Sequence, residues 1–131
     1  MNKITNSNKQ TTNNIQYPNY KSNLEDRTLE FSKKIISFCK ELPNNRINFN
    51  LINQLIRSAT SIGANYREAN DSLGKKDFLN RLRIARKEAK ETSYWLEPIQ
   101  HFNKDSNADF LIQETKELRN ILSSIIQKLT K

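Results

Sequence analysis

From Leu24 to Leu129, apolar side chains recur every three or four residues in four long runs, the period of α-helices that each bury one face. Thr28, Phe31, Ile35, Phe38 and Leu42 carry the first run, which Pro43 and the Asn pair after it end. The second starts near Asn48 or Asn50 as a candidate N-cap and reaches about Asn70, with Ile52, Leu55, Ala59, Ile62, Tyr66 and Ala69 on its stripe. Asp71, Ser72 and Gly74 break the chain. The third run covers about Lys75 to His101 with Phe78, Leu82, Ala85, Ala89, Thr92, Leu96 and Ile99, and Pro98 predicts a bend or an early end there. The fourth starts near Ser106 as a cap and carries Ala108, Leu111, Thr115, Leu118, Leu122, Ile125 and Leu129.

Two glycines and three prolines are too few for a turn-rich β protein. Helices of such matched length, joined by short loops, select an all-α fold: an antiparallel up-down-up-down four-helix bundle. The expected division is a tail over residues 1–23 and one bundle domain over residues 24–131. The tail holds seven Asn, three Lys and no acid, so it buries too little apolar surface to offset the entropy of ordering and reads as disordered. It lacks the apolar run of a signal peptide, and no segment approaches the roughly 18 apolar residues of a membrane span. The expected location is cytoplasmic.

The residue inventory argues against most chemistry. A lone Cys39 and a lone His101 cannot supply a zinc site, and a di-metal bundle needs a Glu-x-x-His pair on each of two helices. No nucleophile–base pair can be assembled. The expectation is a non-enzymatic protein with no catalytic residue, no metal, no cofactor and no small-molecule substrate. Cys39 itself reads as a small buried hydrophobe.

Charge points elsewhere. The chain has 22 basic and 14 acidic residues, a net charge of +8, and the tail accounts for only three of those positive charges. A polyanion is the partner such a balance favours. Seven cations, Lys75, Lys76, Arg81, Arg83, Arg86, Lys87 and Lys90, crowd the start of the third helix. Lys76, Arg83, Lys87 and Lys90 share one helical face and can track phosphates, with Arg86 in support and Arg67 contributing from the second helix. The plainer alternative is a solvated charged face. No zinc-finger spacing, glycine-rich loop or helix-turn-helix unit is present, so the expected binding mode is directed at the backbone and indifferent to sequence.

The second helix carries the stretch RSATSIGANYREA from Arg57 to Ala69, where Ser58, Ser61, Asn65 and Glu68 form a compact polar stripe suited to close helix contact. Glu88 and Glu91 share a face of the third helix and read as polar contacts between helices or subunits, with Arg57 and Arg81 as partners. Tyr94 and Trp95 read as packing anchors, with a base-stacking platform as the alternative.

That stretch, followed after a short loop by KDFLNRLRIARKEAKETSYWLEPI from Lys76 to Ile99, resembles the bacterial four-helix bundle proteins of the 23S rRNA intervening-sequence protein family. The resemblance implies a left-handed bundle and a ring-shaped homo-oligomer, with a pentamer favoured. Arg57, Ser58, Ser61, Asn65, Glu68, Glu88, Glu91 and Trp95 then become packing and assembly residues. Some members are encoded within sequences that interrupt large-subunit ribosomal RNA genes, and a distant relative is the accessory protein of diversity-generating retroelements. RNA or DNA is the partner this implies. A scaffold that binds another protein through the compact stripe is the rival reading. Tyr66 and Arg67 depart from the common pattern.

Overall fold

The computed structural model describes residues 17–131, with side chains from Asn23 onward, as four α-helices. They are α1 (Tyr17–Lys40), α2 (Arg46–Asn70), α3 (Lys75–Phe102) and α4 (Asp109–Thr130). Each helix packs on the next and α4 closes back on α1, while the diagonal pairs make no close backbone approach. Links of four to six residues between such neighbours force each helix antiparallel to the one before, an up-down-up-down bundle. No helix among the described residues is long and apolar enough to cross a membrane.

The stripes meet on the bundle axis. Phe31, Ile35, Leu55, Ile62, Leu82, Leu96, Ile99, Leu111, Leu118 and Leu122 are almost wholly buried. Three threonines sit in the same stripes, and each returns its hydroxyl to its own helix: Thr28 to the Leu24 carbonyl at 2.9 Å, Thr92 to that of Glu88 at 2.7 Å, Thr115 to that of Leu111 at 2.6 Å. Their polar atoms are therefore satisfied inside an apolar core. Cys39 is buried there too, and desolvation pushes its thiol up to about 11.

Several boundaries differ from the sequence expectation. Helix α1 starts at Tyr17, ahead of Leu24, so residues 17–23 are helical, and Pro18 occupies the first turn, where its missing N–H costs nothing. The rest of the expected tail, residues 1–16, lies outside the described residues. The cap of α2 is Asn45, whose side chain accepts from the Asn48 N–H at 2.9 Å. Asn48 is buried instead, exchanging amide hydrogen bonds of 2.8 and 2.9 Å with Asn103, the residue that caps α3, so this pair ties the first turn of α2 to the end of α3. Pro98 does not end α3, which continues to Phe102. Leu96 and Ile99, both fully buried, hold the chain on either side of the proline, and the Asn103 N–H bonds the Ile99 carbonyl at 3.0 Å. Helix α4 begins at Asp109 rather than near Ser106, and its buried position near the C-terminus is Ile126, with Ile125 partly exposed.

Helices α1 and α2 approach closely at Gly63. A Cβ added there would lie 2.9 Å from Thr28 Oγ1 and 3.0 Å from Thr28 Cβ. Ala gains about 0.5–1 kcal/mol of helix propensity over Gly, but overpacking of this kind costs about 1–3 kcal/mol. G63A is expected to destabilise the protein in urea unfolding, and the further change T28A to recover part of the loss. A G63A protein more stable than the parent would show that the two helices can move apart freely.

Candidate nucleic-acid interface

The site begins with how α3 is anchored. Its inner face, Leu82, Ala85, Ala89, Thr92, Leu96 and Ile99, is fully buried. Against it α2 sets Ser58 and Ala59, also fully buried, and the Thr92 and Ser58 hydroxyl oxygens lie 2.9 Å apart in a hydrogen bond between the two helices. Arg81 reaches across to Asn65 Oδ1 at 3.3 Å. The compact face of α2 is thus partly filled by α3 of the same chain, with Ser58 and Asn65 as its contacts. Ser61 bonds within α2, to the Arg57 carbonyl at 2.7 Å, and Glu68 is exposed beside the groove between α1 and α2.

One edge of this seam is ionic. Arg57 pairs with Glu88 at 3.2 Å and with Glu91, and the Trp95 indole N–H donates to Glu91 at 3.1 Å. That indole bond, then Arg57, holds the Glu91 carboxyl below its ordinary range, with Lys87 adding to the effect and burial opposing it. The other seams are similar. Arg27 on α1 makes a two-pronged contact with Glu114 on α4, both bonds 2.7 Å, and reaches Glu117 at 2.8 Å. Arg67 on α2 lies 3.5 Å from Glu25 on α1.

The seam between α3 and α4 is different. A groove of about 330 Å³ there is lined by Arg83, Arg86, Lys87 and Lys90 from α3 and by Arg119 and Ser123 from α4. No acid lines it, and none of the five cations makes an ion pair with a described residue. Arg86 Nη1 donates to Ser123 Oγ at 3.4 Å, a neutral contact that leaves its charge uncompensated. Because a helix turns by about 100° per residue, burying Leu82, Ala85 and Ala89 turns Arg83, Lys87 and Lys90 outward as one row.

The structure therefore brings together four of the expected cations and separates two. Lys76 lies on the same side of α3 but does not line the groove, and Arg67 is committed to the α1–α2 side with Glu25. Arg119 is a member that the sequence did not single out. Its position one residue after buried Leu118 places it on a flank of α4, and only the packing of α4 on α3 decides that this flank meets the basic row. Tyr94 is 63% exposed and so is not a packing anchor, whereas Trp95 is partly buried against the core. Among the described residues no group of His, Cys, Asp and Glu is placed to hold a metal ion.

Residues 21–124 of the chain match the 23S rRNA-intervening sequence protein family. A solved protein of unknown function from the S23 ribosomal protein family of Bacteroides thetaiotaomicron is 39% identical to it. The match covers 79% of this chain and 97% of that one, with a TM-score of 0.72. No curated protein matches.

The depressed Glu91 pKa sets a pH dependence. The unfolded carboxyl, near 4.5, binds protons more readily than the folded one, so the stability from this contact is present above pH 4.5 and is lost as pH falls through the lower folded value. The melting temperature of E91Q is expected to fall less steeply than the parent's on acidification below pH 4.5. The Glu117 carboxyl, lowered in the same sense by its hydrogen bond from Arg27, adds to the acid limb of both proteins. Identical acid limbs for the two proteins would remove Glu91 from the account.

Proposed function

The chain belongs to the 23S rRNA-intervening sequence protein family, and from that premise we propose a non-enzymatic helical bundle that self-associates and binds RNA or DNA without reading sequence. The observation that carries this reading is the α3–α4 groove, where five cations converge with no acid among them. Each other seam of the bundle carries at least one arginine paired with a carboxylate: Arg57, Arg27 and Arg67. A polyanion backbone supplies the missing counter-charge, and release of its condensed ions drives the association.

Self-association, with the pentamer implied by the family resemblance, strengthens the effect, because copies of one basic groove add their fields. The exposed Leu29 and Ile36, beside Gly63 and Ala64 in the groove between α1 and α2, are apolar surface on the opposite side of the molecule's charge pattern and suit a contact between copies. Arg57, Ser58, Asn65, Glu88, Glu91 and Trp95 act in this reading by holding α2 and α3 in register. Ser61 and Glu68 are the remaining assembly candidates. Reading the compact face of α2 as a dock for a foreign protein loses part of its motive, since Ser58 and Asn65 contact α3 instead.

The expected behaviour is salt-sensitive binding of generic RNA. Removing one phosphate-contacting charge lowers the slope of log K against log salt by about 1. R83Q and K87Q each do so, and R119Q does so from the other helix, whereas R67Q leaves affinity and slope nearly unchanged. Titration of labelled RNA across a salt series measures this, and a double charge reversal R83E/K87E that binds like the parent would remove the groove from the account.

A further inference from the structure

The row of α3 that presents Arg83, Lys87 and Lys90 does not stop at Lys90. Tyr94 follows at the same three-to-four spacing, so these four side chains fall within a sector of the helix about 60° wide and span about 17 Å along it. Tyr94 is 63% exposed, the most exposed aromatic residue on α3. Its ring is held at its root: its centroid lies 5.0 Å from that of Trp95, at an interplanar angle of 81°. Trp95 is in turn fixed by its hydrogen bond to Glu91, which Arg57 also holds. A perpendicular pair covers at most one face of the tyrosine ring, and the other face is left to solvent.

A row of cations that ends in a fixed aromatic face suits a strand whose phosphates run along the charges and whose bases are free to turn onto a ring. In a duplex those base faces are already stacked on one another. Resting on the proposal that the α3–α4 groove binds nucleic acid, we infer that its ligand is a single-stranded segment and that Tyr94 stacks one of its bases. Tyr94 selects the strand state, and the cations supply affinity for either state.

The test compares a labelled oligouridylate, an oligothymidylate of the same length and a duplex of matched length on the full chain, for the parent, Y94F and Y94A. A stacked base is worth a loss of about 5- to 100-fold on removal of the ring. Y94A is expected to lose single-strand affinity by that factor while its duplex affinity stays within about twofold, and Y94F is expected to keep both. Uridylate and thymidylate bound alike assign shared base-face recognition; preference for one assigns the sugar or the thymine methyl as a further determinant within the same site. Trp95, the sole tryptophan, reports locally: its emission is expected to shift when the parent or Y94F binds a single strand and to stay unchanged with duplex. Equal loss on all three probes, or no loss of single-strand affinity, would overturn the inference and leave the groove intact. Absence of binding to every probe by the parent would overturn the groove as well.

Discussion

The close contact of α2 and α3 is the constraint on which the rest of the molecule depends. Ser58 and Ala59 on one helix and Ala85, Ala89 and Thr92 on the other are small, fully buried and joined by the Ser58–Thr92 hydrogen bond. Small residues let the backbones approach, and a buried hydroxyl pair loses about 1–3 kcal/mol if its register slips and one partner is left unsatisfied. The orientation of α3 about its own axis follows from this contact. With Leu82, Ala85 and Ala89 directed inward, Arg83, Lys87, Lys90 and Tyr94 are left on the exposed side of the helix.

Charge is then distributed by seam. Arg57 is matched by Glu88 and Glu91, Arg27 by Glu114 and Glu117, and Arg67 by Glu25. Such partly exposed pairs each contribute little stability, about 0–1 kcal/mol. Their larger effect is to use carboxylates away from the α3–α4 groove. The cations of that groove repel one another in the free protein, a cost that a bound polyanion would reverse. A basic chain alone does not produce this arrangement; the sorting of acids onto three seams does.

Much of the fold was legible in the sequence because a helical stripe is a local signal. Leu55, Ala59, Ile62, Leu82, Ala85, Ala89 and Leu96 are buried where the spacing puts them. The ends were less legible, since the capping of α2 by Asn45 rather than Asn48 depends on Asn48 having a distant partner in Asn103. Of the two outcomes that Pro98 predicts, the early end does not occur, for a related reason: the local penalty was visible, and the burial of Leu96 and Ile99 on either side of it is tertiary. In the candidate site, Arg83, Arg86, Lys87 and Lys90 could be read from one helix. Arg119 could not, because its membership needs the docking of α4, and the separation of Arg67 needs Glu25 on α1.

The central claim is that nucleic acid lies along α3 beside α4 and nowhere else on the bundle. Photocrosslinking of the protein to RNA carrying a photoreactive uridine, with the attachment sites read by mass spectrometry, tests it most directly. The account predicts adducts concentrated between Arg83 and Tyr94 and around Arg119. Adducts concentrated instead along the groove of Leu29, Ile36 and Arg67 would contradict it.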